Sequence, residues 1–129
     1  MNLVEYLLDL KRLIASRQDV RLLSWTDRLL RDGTYLTVRA RVQFTDDSFI
    51  EFSEAAVLLR REAVSKLHYS YHYQRGNQTV FRYDNAPHFP GLPNYPHHKH
   101  IGDQVEGCAP PDLARALKEI DSILYPASK

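Results

Sequence analysis

All six histidines of this 129-residue chain lie between residues 68 and 100. The same window contains three basic side chains, Arg75, Arg82 and Lys99, but only one carboxylate, Asp84. An imidazole has an unperturbed pKa of about 6.5, so it can accept or release a proton near neutral pH. Because titratable and cationic groups concentrate at functional sites, this window predicts a site for an anionic ligand.

One chemistry that this cluster suits is metal-independent cleavage of RNA. An imidazole or carboxylate removes the proton from a ribose 2′-OH, the oxygen attacks the adjacent phosphorus, and a second imidazole protonates the departing 5′-oxygen. Arginine and lysine stabilise the charge added in the transition state. The predicted catalytic groups are the proton-transfer candidates His72, His88, His98 and His100, the phosphate clamps Arg82 and Lys99, and the orienting residues Asp84 and Asn85.

Aromatic and basic side chains near the cluster predict contacts with RNA. Exposed tyrosines can stack on unpaired bases, and arginines on the outer face of a strand can reach phosphates. The predicted RNA-binding residues are Tyr71, Tyr73, Gln74, Tyr83, Tyr95, Arg39 and Arg41.

Two other functions fit the same residues. Imidazoles bind zinc and other borderline metals, so His88, His98 and His100 are an alternative metal site for zinc or manganese in a metal-dependent hydrolase. A non-catalytic module that binds a protein or a nucleic acid is the other alternative. In that case Asp84 and Arg82 form an ion pair with a purely structural role. The primary hypothesis requires no cofactor.

Two adjacent segments must position these groups. Four prolines recur at every third residue of the loop 84–100, which predicts a stiff polyproline II segment. Residues 67–84 alternate between aromatic and polar side chains around a glycine-containing turn, which predicts a β-hairpin that pairs Tyr71 with Phe81. If residues 99–104 return to the sheet as a short strand, both ends of the loop meet at the polar face of the hairpin.

The rest of the chain predicts a single α+β domain over residues 1–129. Apolar residues at helical spacing predict an N-terminal helix at 2–16 and a C-terminal helix at 111–125. Period-two alternation between about 20 and 84 predicts an antiparallel β meander of roughly four or five strands between these helices.

Composition excludes several classes of protein. Hydrophobic residues make up 43% of the chain and charged residues 26%, which is typical of a globular domain rather than a disordered one. No apolar run is long enough for a membrane span, and the N-terminal residues do not form a signal peptide. Cys108 is the one cysteine, so no internal disulfide can form, and we expect a cytoplasmic location.

Three motifs resemble those of the TumE family, the toxin component of bacterial and archaeal toxin–antitoxin pairs. They are His68-Tyr-Ser-Tyr-His-Tyr-Gln74, Phe81-Arg-Tyr-Asp-Asn-Ala-Pro-His88 and Tyr95-Pro-His-His-Lys-His100. The resemblance implies functional roles for Tyr71, Tyr73, Gln74, Arg82, Tyr83, Asp84, Asn85, His88, Pro96, His98, Lys99 and His100. It also implies a cognate antitoxin partner, often a helix-turn-helix protein, but it leaves the chemical mechanism open. A homodimer is a further expectation.

Overall fold

The computed structural model describes residues 1–127, which form a seven-stranded antiparallel sheet and two α-helices. The helices are α1 (Leu3–Ala15) and α2 (Leu113–Leu124). The strands are β1 (Val20–Leu30), β2 (Tyr35–Phe44), β3 (Phe49–Leu59), β4 (Ala63–Arg75), β5 (Gln78–Asp84), β6 (His98–Ile101) and β7 (Gln104–Gly107). A 3₁₀ turn, Arg60–Glu62, connects β3 to β4.

Each strand pairs with the next one along the chain, so the sheet order is β1 to β7. This meander confirms the predicted α+β class, but the predicted strand number was too low. The additional strands are β6 and β7, a short hairpin that follows the proline-rich loop and adds to the edge of the sheet at β5.

Both helices begin at residues whose side chains cap the first turn. The Asn2 side chain accepts a hydrogen bond from the Glu5 amide, and the Glu5 carboxylate accepts one from the Asn2 amide, which completes a capping box. Asp112 accepts from the Arg115 amide at 2.8 Å at the start of α2. No helix among residues 1–127 is both long and apolar enough to cross a bilayer.

One face of the sheet packs against both helices and forms the hydrophobic core. Alternating residues of β2 to β5 point to this face, as the burial of Val38, Ala40 and Phe52 between exposed or half-buried neighbours shows. The helices contribute the buried residues Leu3, Leu10, Ile14, Leu113, Ala116, Leu117 and Ile120.

The hairpin between β4 and β5 keeps the predicted faces but not the predicted register. Tyr71 pairs with Tyr83, and Tyr73 pairs with Phe81, so the predicted pairing was wrong by two residues. Arg75 pairs with Gln78, which leaves a two-residue turn, and an irregularity follows next to Tyr73. A shift of two residues returns every side chain to its original face, which is why the predicted faces were correct.

The proline-rich loop from residue 85 to residue 97 consists of turns, so the predicted polyproline II conformation was wrong. Three backbone hydrogen bonds of the i to i+3 type follow one another, with Phe89, Leu92 and Asn94 as the acceptors. Phe89 and Asn94 have φ angles of 58° and 61°, and these left-handed conformations bend the chain back on itself. The loop lies against Gly107 of β7, where a Cβ atom would be 1.9 Å from the Pro93 carbonyl oxygen.

No helix packs on the opposite face of the sheet among residues 1–127, and we call it the open face. One row of directly paired residues crosses five strands on this face: Arg41, Glu51, His72, Arg82 and His100. The neighbouring row contains Arg39, Ser53, Ser70, Asp84 and His98. The meander therefore places residues from distant parts of the sequence side by side.

Candidate functional site

Asp84, at the end of β5, is the centre of a hydrogen-bond network on the open face. Its Oδ1 accepts a hydrogen bond from the Ala86 amide at 3.1 Å and lies 2.9 Å from His98 Nε2. Its Oδ2 accepts from Arg82 Nε at 3.1 Å and lies 3.7 Å from His100 Nε2. Hydrogen bonds that involve ionised groups are about twice as strong as neutral ones, so Asp84 fixes the positions of its neighbours.

His98 is buried beneath the network and held at both ring nitrogens. Its relative exposure is 2%, and strand pairing places it directly opposite Asp84. Nδ1 donates to the carbonyl oxygen of Pro96 at 2.9 Å, because a carbonyl oxygen can only accept. The ring therefore cannot rotate without losing a hydrogen bond, and His98 holds Asp84 in place from the buried side of the site.

Arg82 and His100 form the more accessible part of the network. Arg82 Nη2 lies 3.1 Å from His100 Nε2. A guanidinium group has donors and no acceptor, so His100 Nε2 accepts this hydrogen bond and is unprotonated in this arrangement. Burial lowers the pKa of His100, and the positive charge of Arg82 lowers it further. The Arg82 side chain is 40% exposed, which leaves donors available to a ligand.

His72 lies on the other side of Arg82, on β4. Strand pairing places His72 and His100 one strand away from Arg82 on opposite sides. His72 Nε2 is 2.7 Å from the hydroxyl oxygen of Thr79. Burial lowers the pKa of His72, and Arg82 again contributes. Two imidazoles thus flank one guanidinium, and adjacent strands are about 4.8 Å apart.

The start of the proline-rich loop folds over the network and forms one wall of a pocket. The ring centre of Phe89 is 5.4 Å from that of His98 and 6.1 Å from that of His100. The pocket has a volume of about 280 Å³, and its lining includes the exposed His88, together with Ser70. Sequence reasoning did not select Phe89 or Ser70. The sequence feature that could have indicated a role for Phe89 is its position next to His88 in the proline-rich motif.

Asn85 holds the backbone of β4 rather than a ligand. Its side-chain oxygen accepts from the Tyr69 amide at 3.0 Å, and its side-chain nitrogen donates to the Leu67 carbonyl at 3.0 Å. These contacts fall where the pairing of β3 with β4 shifts register. Asn85 therefore positions the strand that carries His72.

Lys99 does not join the cluster, which corrects its predicted role as a phosphate clamp. Side chains alternate along a strand, so a strand that places His98 and His100 on the open face places Lys99 on the core face. There its Nζ donates to Glu119 of α2 at 2.7 Å and lies 4.9 Å from the Tyr83 ring centre. Although burial opposes the effect, hydrogen bonds with Glu119 and Tyr83 raise the pKa of Lys99.

Three of the tyrosines that were predicted to contact RNA are core residues, so that prediction was wrong for them. Tyr71 and Tyr73 are fully buried and Tyr83 is 2% exposed, because all of them point towards the helices. Their hydroxyl groups bind Glu54, Ser48 and Glu119 respectively. The other predicted RNA contacts differ in position: Tyr95 is exposed in the loop, Gln74 is half-buried near the end of β4, and Arg39 and Arg41 are exposed on the open face.

The model of one protein family, described as Toxin TumE, matches residues 10–124 of the chain. The chain belongs to the TumE toxin family. This confirms the resemblance noted in the sequence motifs, all of which lie inside the matched range. No curated protein and no solved structure matches the chain. Membership in a toxin family implies an antitoxin partner.

Potential metal ligands come together at Asp84, His98 and His100 in this TumE chain. The predicted metal site contained His88, and the structure has Asp84 in its place. The ligand atoms of Asp84, His98 and His100 all lie within 4.8 Å of one another. Two ligands bound to one tetrahedral zinc ion at about 2.05 Å are roughly 3.3 Å apart, whereas Asp84 and His98 are 2.9 Å apart. The Arg82 cation also bonds to Asp84 and His100. This arrangement fits a closed hydrogen-bond network better than a metal site.

Proposed function

We propose that this protein is the toxin of a toxin–antitoxin pair and that it cleaves RNA by metal-independent acid–base catalysis. The observation that carries the proposal is the row His72, Arg82, His100 on the open face. Arg82 binds the scissile phosphate through the donors that Asp84 and His100 do not use. Its positive charge stabilises the negative charge that develops on the phosphate oxygens.

The row also matches the geometry of in-line displacement at phosphorus. The attacking 2′-oxygen and the departing 5′-oxygen lie on opposite sides of the phosphorus atom, and one imidazole lies on each side of Arg82. His100 acts as the general base: its Nε2 is unprotonated in the network, and when substrate binds the ribose 2′-OH replaces the Arg82 N–H as the donor to that lone pair. His72 acts as the general acid and donates a proton to the 5′-oxygen. The products are a 2′,3′-cyclic phosphate and a free 5′-hydroxyl.

The supporting residues have separate tasks in this mechanism. Asp84 orients Arg82, and His98 holds Asp84 in place from the buried side. Asn85 fixes the β4 backbone, and His88 lines the pocket where the substrate enters. None of these tasks requires a metal ion, so cleavage is expected to continue in EDTA.

RNA with a sulfur atom in place of the bridging 5′-oxygen tests the assignment of acid and base. A thiolate leaves without a proton from the enzyme, whereas an alkoxide needs one. With ordinary RNA, His72→Ala and His100→Ala should each reduce the cleavage rate by about 10²–10⁴-fold. With the sulfur-containing RNA, His72→Ala should recover most of the wild-type rate and His100→Ala should not. His68→Ala, which lines the same pocket outside the row, is the matched control.

Several outcomes would contradict the proposal. Recovery of His100→Ala instead of His72→Ala would reverse the two roles. Loss of cleavage in EDTA, with recovery on addition of zinc or manganese, would favour the metal-dependent hydrolase, for which the grouping of Asp84, His98 and His100 is the supporting observation. Growth inhibition without any RNA cleavage would favour a non-catalytic binding module. That the antitoxin is a helix-turn-helix protein, that the chain forms a homodimer and that it is cytoplasmic remain predictions.

A further inference from the structure

The open face carries far more positive charge than the composition of the chain suggests. The formal net charge of the whole chain is +1. On strands β1 to β5, however, the residues that point to the open face include five arginines: Arg21, Arg28, Arg39, Arg41 and Arg82. The carboxylates on the described part of the same surface are Glu51 and Asp84, and both are already paired with arginines.

Three of these arginines have no carboxylate partner among residues 1–127: Arg21, Arg28 and Arg39. All three are exposed on neighbouring strands. Like charges on one surface repel one another, and a bound polyanion relieves that repulsion. The uncompensated charge lies on the side of Arg82 that is away from the proline-rich loop.

Aromatic rings lie among these arginines on the same face. The Arg41 guanidinium is 4.5 Å from the ring centre of Phe49, and Glu51 holds that guanidinium at 3.2 Å. The Arg31 guanidinium is 4.8 Å from the ring centre of Tyr35. Unpaired bases stack on aromatic rings and on guanidinium planes. The stacking planes offered to bases on this surface are therefore the exposed guanidinium groups of Arg41 and Arg31, each supported by an aromatic ring beneath it, in place of the buried tyrosines.

The strand spacing gives the length of the path from the cleavage site. Arg82 is on β5 and Arg39 is on β2, three strand spacings of about 4.8 Å across the sheet and two residues, about 6.8 Å, along the strands, so their backbones are roughly 16 Å apart. Arg28 on β1 pairs with Thr37, one further strand across and a further two residues along, so its backbone is roughly 24 Å from that of Arg82. An extended strand of a few nucleotides can span this distance across the sheet.

We propose that the substrate is single-stranded RNA that crosses the open face from Arg82 towards Arg39 and Arg28 and stacks a base on the Arg41 guanidinium, which lies in the same row as Arg82 and is supported by the Phe49 ring. This inference rests on the proposed RNA cleavage and specifies its substrate. A duplex keeps its base faces stacked inside the helix, so it can use the charges of the arginines but not their stacking planes. A single strand can use both, and it should bind more tightly than a duplex.

Binding is measured with RNA that the enzyme cannot cut. The probe is a fluorescent 2′-O-methyl oligonucleotide of about 12 nucleotides, as a single strand and as a duplex, and the readout is fluorescence anisotropy. Arg39→Gln should weaken binding of the single strand by about 3–10-fold and reduce the slope of log affinity against log salt by about 0.7. Phe49→Leu should weaken it by at least about fivefold, and neither the duplex nor the salt slope should respond to Phe49→Leu. The matched control is Lys118→Gln, which removes one exposed charge from α2 on the helical side.

Cleavage of a dinucleotide separates this inference from the proposed function. A dinucleotide reaches the row at Arg82 but not Arg39 or Phe49, so both variants should show a much larger rise in KM for long RNA than for the dinucleotide. If the wild type cleaves no RNA but binds the single strand through Arg39 and Phe49, the catalytic proposal fails and the RNA path stands. If cleavage is normal but Arg39→Gln and Phe49→Leu bind all probes like the wild type, the RNA path is refuted. If these two variants bind RNA like the wild type but no longer bind the antitoxin, the RNA path is also refuted, because the surface is then a docking site for a protein.

Discussion

Asp84→Asn tests the hydrogen-bond network more sharply than any alanine substitution, because it changes the charge and one acceptor while it keeps the shape. The carboxylate accepts hydrogen bonds from Ala86 and Arg82 and lies 2.9 Å from His98 Nε2. An amide has one oxygen, so one of its N–H groups must face a donor. The least costly orientation directs the oxygen to the buried His98 and the nitrogen to Arg82, whose side chain is 40% exposed and can rehydrate.

The expected cost in stability follows from these contacts. A hydrogen bond to a charged group contributes about 1.5–3 kcal/mol, and the exposed share at Arg82 counts for little. We therefore expect Asp84→Asn to lower the free energy of unfolding by about 2 kcal/mol. A domain of this size is stable by about 5–15 kcal/mol, so the variant should still fold. Urea unfolding measures the loss, and circular dichroism verifies the fold.

The expected cost in activity is larger than the cost in stability. Without the carboxylate, Arg82 is free to leave the row between His72 and His100, and both the phosphate clamp and the position of the base are lost. We expect kcat for RNA cleavage to fall by about 100-fold, the lower end of the range for a misplaced acid–base group. The measurement is single-turnover cleavage of a defined RNA at a temperature where the variant is folded.

Asp46→Asn is the matched control, since Asp46 also bonds an arginine, Arg75 at 2.8 Å, but outside the row. It should leave cleavage within about twofold of the wild type. If Asp84→Asn also cleaves RNA within threefold of the wild type, the network does not organise catalysis. If it loses activity only in proportion to the unfolded fraction, the role of Asp84 is structural.

Three further predictions concern parts of the molecule around the site. Lys99→Met should lower the free energy of unfolding by about 1–2 kcal/mol, because Glu119 loses its cationic partner and keeps only the Tyr83 hydroxyl, while cleavage changes less than threefold; reduced RNA affinity would instead return Lys99 to the site. Gly107→Ala should displace the proline-rich loop, since the added Cβ meets the Pro93 carbonyl oxygen, and unchanged NMR shifts of His98 would contradict this. Burial lowers the pKa of three imidazoles, on His72, His97 and His100. Below about pH 6.5 the unfolded chain therefore binds more protons than the folded one, so stability should be highest above that pH and fall as the pH drops below it. A urea midpoint that stays constant or rises on this acidification would show that these groups do not govern the response.

Local patterns in the sequence were sufficient to predict the helices, the first five strands and the face of the sheet to which most side chains point. The period-two alternation of residues 67–84 depends on the pleat of a single strand, so it separates the aromatic face from the polar one without knowledge of the partner. The caps at Asn2 and Asp112 join residues within one turn of a helix, so they too involve local sequence alone. The motifs at residues 68–100 were specific enough to indicate the family.

Register, burial and the side to which Lys99 points depended on contacts between segments. The predicted hairpin register was wrong by two residues. A shift of two residues keeps every side chain on the same face, so the side-chain pattern cannot distinguish the two registers, and the length of the turn decides between them. Tyr71 has an amphipathic side chain that can either stack on an RNA base or pack in a hydrophobic core. Only the position of the helices determined that it is buried. The face of Lys99 followed from the register in which β6 pairs with β5, which places Lys99 opposite the buried Tyr83 and which the sequence could not fix.

The amino-acid sequence by itself determined that imidazoles and an arginine are concentrated in one quarter of the chain, because composition and spacing are properties of the chain alone. The tertiary structure decided which of them meet. Asp84 and His98 are fourteen positions apart in the sequence, yet they are direct neighbours because β5 and β6 pair across the proline-rich loop. That pairing is made by hydrogen bonds between backbones, which the pattern of side chains along the sequence does not specify.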